Sequence, residues 1–290
     1  HPWAQMHLMD YYWEGKWVRQ SLSEFLHWNC QAAKRGHPAA LRNIGKWFLH
    51  GELGCPVDLH QAQEYLEAGL KASKTSFADC YASCQEDLVE VAKRHCAANS
   101  FEKAKAILLP LAEGGVGKAQ KALGVAIIRD CEGAARPNAS SSALFWFSSA
   151  AFALTGEEAA LGNAEQGAMY CCGVLYKYAQ AKFWGRIVKK TLRIINIEAR
   201  ITRVKELVNL QRELRSLRDI CGGCGAEFEG KERKFCRACR AYCYCSRECQ
   251  KMHWNRKKGG HREDCKGASE LKQKMKEKKK AEAIKASESK

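Results

Sequence analysis

Proline is scarce in this chain of 290 residues: there are five, at positions 2, 38, 56, 110 and 137. Nothing beyond 137 carries the ring that breaks a helix. Two-residue alternation of apolar and polar side chains is nearly absent, which leaves little room for half-buried strands. No stretch reaches 18 apolar residues. The longest candidate, ALFWFSSAAFAL at 143–154, is too short for a bilayer and holds two serines. No signal-peptide pattern follows His1, although the start at His1 leaves room for an upstream module. These absences exclude a membrane-spanning protein. They point to an intracellular one, nuclear or cytoplasmic, that is mainly α-helical.

What is present divides the chain in two. Residues 1–180 hold 17 basic and 18 acidic side chains, whereas 181–290 hold 31 basic and 14 acidic, net +17. Cysteine follows the same division. Eight of the 16 are scattered over 30–172, and eight crowd into 221–265. A secreted disulfide scaffold is short and cysteine-dense throughout, and this chain is neither.

The first part repeats. A shift of 36 residues lays Ala4 on Ala40, Leu8 on Ile44, Tyr11 on Trp47, Tyr12 on Phe48, Gly15 on Gly51 and Ala32 on Ala68. Such a period marks a solenoid of helix hairpins, in which each unit buries its apolar face on its neighbours. Pro2 and Pro38 suit the first turn of a helix, and Gly15 and Gly51 suit its end. Ser21-x-x-Glu24 and Asp58-x-x-Gln61 read as caps of a second helix. Ala32, Ala33 and Ala68 are expected at close helix contacts. A longer unit covers roughly 78–115, with Pro110 expected to kink or end its second helix. A fourth pairs AQKALG (119–124) with ALFWFSSAA (143–151) across a polar loop at 133–142. A partial fifth begins near 157.

The A-x3-[LI]-G, A-x2-[WY] and AA-x2-G spacings of these units resemble Sel1-like repeats, relatives of tetratricopeptide repeats, over roughly 1–175. The resemblance implies an α-solenoid that holds a protein partner.

Residues 178–218 read as one long connecting helix. Its apolar positions, Ile194, Ile197, Ile201, Val204, Leu207, Leu210, Leu214 and Leu217, suit either a helix that caps the solenoid or a short coiled-coil seam.

Chemistry concentrates at 221–265. Cys221-x2-Cys224, Cys236-x2-Cys239, Cys245-x3-Cys249 and His261-x3-Cys265 are four ordered donor pairs. A two-residue gap aims both sulfurs of a tight turn at one ion, and a three-residue gap puts both donors on one face of a helical turn. Eight such donors match two tetrahedral zinc ions and leave no open coordination position, so the zinc is expected to be structural. The segment is too short and polar to fold alone, while a structural zinc contributes about 10–16 kcal/mol in peptides. Cys243 falls off the pattern.

YCSRECQKMHW (244–254) followed by His261-x3-Cys265 resembles the MYND-type zinc finger. The family's cross-brace implies that Cys221, Cys224, Cys245 and Cys249 share one zinc, and Cys236, Cys239, His261 and Cys265 the other. The six residues between Trp254 and His261 exceed the family's usual insert, which leaves His253 as a rival donor. The family's peptide groove implies that Gln250 and Trp254 dock short proline-containing peptides; the other reading of Trp254 is the small core of the finger. With two zinc ions and seven thiolates, the charge of 181–290 falls to about +14.

The expected organisation is therefore repeats at 1–177, the connecting helix at 178–218, the finger at 221–265 and a Lys-rich tail at 266–290. The expected function is a zinc-binding interaction adaptor. Similar repeat–finger pairings imply, as an alternative, a substrate-recruiting F-box-type subunit of a ubiquitin ligase. Arg256, Lys257, Lys258, Arg262 and Lys266 with the tail give a third reading, non-specific nucleic-acid attraction. The tail itself reads as a solvated, frayed helix, a disordered end or a nuclear-import signal. No catalytic constellation is visible. The strands and Asn-His-Ser-Cys stretch of the SET-domain methyltransferases that also carry MYND fingers are missing, so an enzyme is not expected.

Overall fold

The first hairpin shows how local chemistry cuts the chain into helices. Pro2 opens helix α1 (Pro2–Glu14), and Gly15 closes it in the left-handed region, at φ 69°. Ser21 then starts α2 (Leu22–Lys34), its hydroxyl accepting from the Glu24 N–H at 3.3 Å. The second hairpin repeats this order. Pro38 opens α3 (Pro38–His50), Gly51 closes it at φ 72°, and the Asp58 carboxylate caps α4 (Leu59–Ser73) through the N–H groups of His60 and Gln61. A left-handed residue costs glycine no Cβ clash, and each such cap contributes about 1 kcal/mol.

The structure, a computed structural model, describes residues 1–74, 77–131, 136–155, 163–191, 219–228, 233–256 and 260–288. The next hairpin pairs α5 (Ala78–Ala97) with α6 (Phe101–Glu113); α7 (Gly117–Arg129) follows, and then α8 (Arg136–Ala153) packs on α9 (Asn163–Val174), which packs in turn on α10 (Tyr178–Thr191). The chain is thus mainly α-helical, an array of helix hairpins followed by a small cysteine-rich module. In that module β1 (Lys234–Phe235) pairs antiparallel with β2 (Cys243–Tyr244), and two helices follow, α11 (Arg247–Asn255) and α12 (His261–Glu288). Among the described residues no helix is long and apolar enough to cross a membrane.

Two compact units divide the chain, His1–Ala126 and Ile127–Lys290, so the division falls within α7. In the first, Phe25, Ala32, Ala40, Ile44 and Trp47 form a common core. The second hairpin does not follow a shift of 36 throughout. Its loop is one residue longer, so Ser21 corresponds to Asp58, Trp28 to Tyr65 and Ala32 to Gly69. Gly69 is accordingly buried, and Ala68 is exposed. Pro110 does not stop α6 at once. It and Ala106, whose carbonyl it leaves without a helical donor, both face water, and the helix ends one turn later at Glu113.

In the second unit, α8 begins at Arg136, so most of the polar stretch expected as a loop is helix. Pro137 tolerates this because the first turn needs no N–H from it. The fifth hairpin is complete. Tyr178–Thr191, expected to open the connecting helix, instead pairs with α9 because its Ala181, Trp184 and Val188 are fully buried in a core with Phe147, Ala150 and Cys172. The seam from Ile194 to Leu217 lies outside the described residues. The Lys-rich tail extends α12 and is partly docked. Leu271 and Met275 lie against that same core, and the Lys278 ammonium donates to the carbonyls of Ala151 and Leu154 at the end of α8.

Candidate metal centre

Three local devices aim the cysteines. The first knuckle closes where Gly225 N–H donates to the Cys221 carbonyl and Cys221 N–H to Ala226. Gly223 in this knuckle lies so close to α11 that a Cβ there would stand 2.5 Å from the Cys249 carbonyl oxygen. The second knuckle leaves β1. Cys236 N–H bonds the Tyr242 carbonyl, Arg240 N–H bonds the Cys236 carbonyl, and Ala241 N–H points at the Cys239 sulfur at 3.4 Å. The third device is Ser246, whose hydroxyl caps α11 by accepting from Cys249 N–H at 3.1 Å. That cap holds Cys249 in the first turn of α11, while Cys245 stands just before the helix. One turn of α12 carries His261 and Cys265.

These elements gather the eight expected donors into two groups. Cys221, Cys224, Cys245 and Cys249 form one, and Cys236, Cys239, His261 and Cys265 the other; in each, the donor atoms all lie within 4.8 Å of one another. Contacts within them include 3.7 Å for Cys224–Cys245, 3.5 Å for Cys245–Cys249, 3.9 Å for Cys236–Cys265 and 3.2 Å for Cys239 Sγ to His261 Nε2. A disulfide would need about 2.05 Å. A regular tetrahedron with metal–sulfur bonds of about 2.3 Å has edges of about 3.8 Å, and a shorter edge to nitrogen. Both groups therefore fit a four-coordinate metal ion. The first is partly open to solvent, with Cys224 exposed, whereas all four donors of the second are buried.

Electrostatics make the same point. Burial pushes the Cys221 thiol up, but the N–H groups of Cys224, Cys245 and Gly223 outweigh it and bring it down to about 6. A hydrogen bond from Cys239 holds Cys236 well below the ordinary thiol range, against burial and with help from His261 and the N–H groups of Ala238 and Cys239. The same bond pushes Cys239 up. One sulfur is readily ionised while its neighbour keeps a proton, and a divalent cation would take that proton's place.

Tyr244, fully buried, lies between the two imidazoles. Its hydroxyl lies 2.9 Å from His261 Nδ1 and 3.0 Å from His253 Nδ1. His261 thus turns Nε2 to the sulfurs, whereas His253 stacks on it at 5.6 Å and lies outside the group. A metal held on Nε2 would place the proton on His261 Nδ1; this nitrogen would then donate to Tyr244, and Tyr244 to His253. Cys243 is buried outside both groups, its thiol directed at the Ile220 carbonyl at 3.6 Å.

The expected docking pair also meets. Arg247, Gln250, Lys251 and Trp254 recur on one face of α11, and with Lys234 and Phe235 of β1 they line a groove of about 790 Å³. Trp254 is half-buried, its ring edge-on to His261 at 5.3 Å. It packs against the module's buried cluster and also lines the groove.

Sequence reasoning missed Asp264, inside the His261-x3-Cys265 turn. Its buried carboxylate accepts from Ala179 N–H at 2.7 Å, Gln180 N–H at 3.1 Å and the Tyr242 hydroxyl at 2.9 Å. An acidic residue beside a donor pair carries no spacing signal. Only the fold brings it to the first turn of α10.

Fold and donor groups define a helical-repeat protein with a C-terminal module able to hold two metal ions. No family model matches the chain, and no curated protein matches it. Among solved structures it is similar to a Sel1 repeat protein from Oxalobacter formigenes. The two are 19% identical, the match covers 71% of this chain and 76% of that one, and the TM-score is 0.22. A superposition that loose carries no argument, and the hairpin architecture rests on the helix packing described above.

Proposed function

We propose that this protein is a zinc-dependent interaction adaptor, with the helical repeats as scaffold and a MYND-type finger that docks short proline-containing peptides. Zinc suits a site of seven cysteines and one histidine because soft thiolates and imidazole in tetrahedral array favour it. Protein donors fill every coordination position, so the metal's role is structural, and the site serves binding and not catalysis.

The observation that carries the docking reading is the groove. Gln250 and Trp254 stand on one face of α11 beside a strand edge. Because Cys236 N–H bonds Tyr242, strand alternation turns the N–H and C=O of Phe235 away from β2 and toward an edge that no described strand covers. An extended peptide could add to the edge, with its proline ring on the indole and its backbone read by the Gln250 amide. Trp254→Ala and, separately, Gln250→Ala should each lower capture of proline-containing peptides at least tenfold, about 1.4 kcal/mol. Both variants should keep two zinc ions per chain by elemental analysis. Undiminished capture by either metal-replete variant removes the groove from the function.

A further inference from the structure

We infer that the groove beside Trp254 selects proline-containing peptides with acidic flanking residues. The inference rests on the docking reading above and adds the partner's charge. Four of the groove's lining side chains are cationic: Lys234, Arg237, Arg247 and Lys251. All four are exposed, and among the described residues none sits in an ion pair. They surround the apolar pair Phe235 and Trp254, so an occupant that lays an apolar ring between them meets positive charge on both walls.

Two alternative explanations of these cations fall short. Neutralisation of the metal group is the first. Loaded with two divalent ions, the seven thiolates of both groups leave a net charge of −3, fewer than the four cations gathered at this one groove. Helix electrostatics are the second, and they act against the arrangement. Arg247 occupies the first residue of α11, where a helix end favours an anion. Glu248, hydrogen-bonded to Ser246 and to its own N–H at that helix start, feels the charges of Lys251 and Lys234 but forms an ion pair with neither. Among the described residues no carboxylate lines the groove, so its walls stay positive. A carboxylate-bearing peptide fits them better than a nucleic acid does, because the cations flank one short apolar groove and not an extended stripe.

The test uses the full chain loaded with two zinc ions. Proline-containing peptides of one core sequence are flanked by Asp, by Asn or by Lys, and their affinities are measured by fluorescence anisotropy. The Asp series should bind about tenfold tighter than the Asn series at low salt, with the Lys series weakest. Salt near 1 M should close the gap. Arg247→Glu with Lys251→Glu should reverse the order; should that pair lose zinc, Arg247→Gln with Lys251→Gln is read instead and should level it. Equal affinity across the three flanks, with Trp254 still required, overturns the charge inference and leaves the docking reading standing. Asp-series binding that survives Trp254→Ala, or displacement of the peptide by a single-stranded oligonucleotide at lower concentration, also overturns it. Absence of binding by every series overturns both.

Discussion

The Tyr244 hydroxyl joins two imidazoles, of which only His261 faces the sulfurs. Tyr244→Phe removes one oxygen and leaves two buried nitrogens against an apolar ring, at a cost of about 1–3 kcal/mol. His261 would then be free to turn or to change tautomer. Zinc affinity of the second group should fall about 10–100-fold in competition with a chelator, while the all-cysteine group keeps its metal. Equal loss from both groups, or from neither, contradicts this positioning role. Another buried imidazole acts through its lack of partners. His37 lies between Trp3 and Phe77, and neither ring nitrogen has a hydrogen bond. Burial lowers its pKa below the ordinary 6.5, so the unfolded chain binds the extra proton. Its contribution to stability is full above about pH 6.5 and is lost as pH falls from there toward the folded value. Amide protection along α3, taken relative to the intrinsic exchange rate at each pH, should show an accelerating loss on acidification, and His37→Leu should blunt that acceleration. It should not abolish it, because buried His95, also depressed by desolvation and by Lys103, titrates the same way.

Among the elements, α12 binds the metal module to the last hairpin. Asp264 places a carboxylate at the first turn of α10, where unpaired N–H groups and the helix dipole favour an anion. Asp264→Ala should cost about 1–2 kcal/mol and speed amide exchange at Ala179 and Gln180, with Asp264→Asn intermediate and zinc content unchanged. Unchanged exchange at those two amides shows that the cap contributes nothing. This contact explains which parts of the fold were legible in the sequence. Caps such as Ser21 and Asp58 act within a few residues and show in their spacing, and so do the donor pairs at 221–265. Asp264 meets Ala179 across 85 positions, and no local pattern encodes that meeting. The slip of the second hairpin, with Gly69 where Ala68 was expected, has a similar origin. One added loop residue moves every later side chain of α4 round the helix, and equal spacing of the first helices conceals it. The tail's lysines hid its role too: Leu271 and Met275 are sparse among them, yet they dock α12.

For the whole molecule, the question is which parts depend on metal. The first unit builds its core from Leu49, Leu66, Val89, Val91 and Leu108, all nearly inaccessible, and holds neither donor group. The metal module has little comparable. Beyond its cysteines, its buried apolar residues are Phe228, Ala241, Tyr242, Tyr244 and Ala268, packed with Ala179. Removing the ions would leave seven thiols at contact distance with nothing to offset their ionisation, and about 10–16 kcal/mol per ion would be lost from the folded side. Chelation should therefore release the amides of β1, β2 and α11 to rapid exchange. It should next loosen the start of α10, because Asp264 is held between two of the donors, His261 and Cys265. Helices α1 to α6 should keep their protection throughout, and most of the far-ultraviolet helical signal should survive. Exchange mapped with and without chelator separates the possibilities: protection retained in β1 and β2 would show that the module holds its shape without metal, and melting of α1 to α6 would show that the metal's influence reaches beyond its own unit.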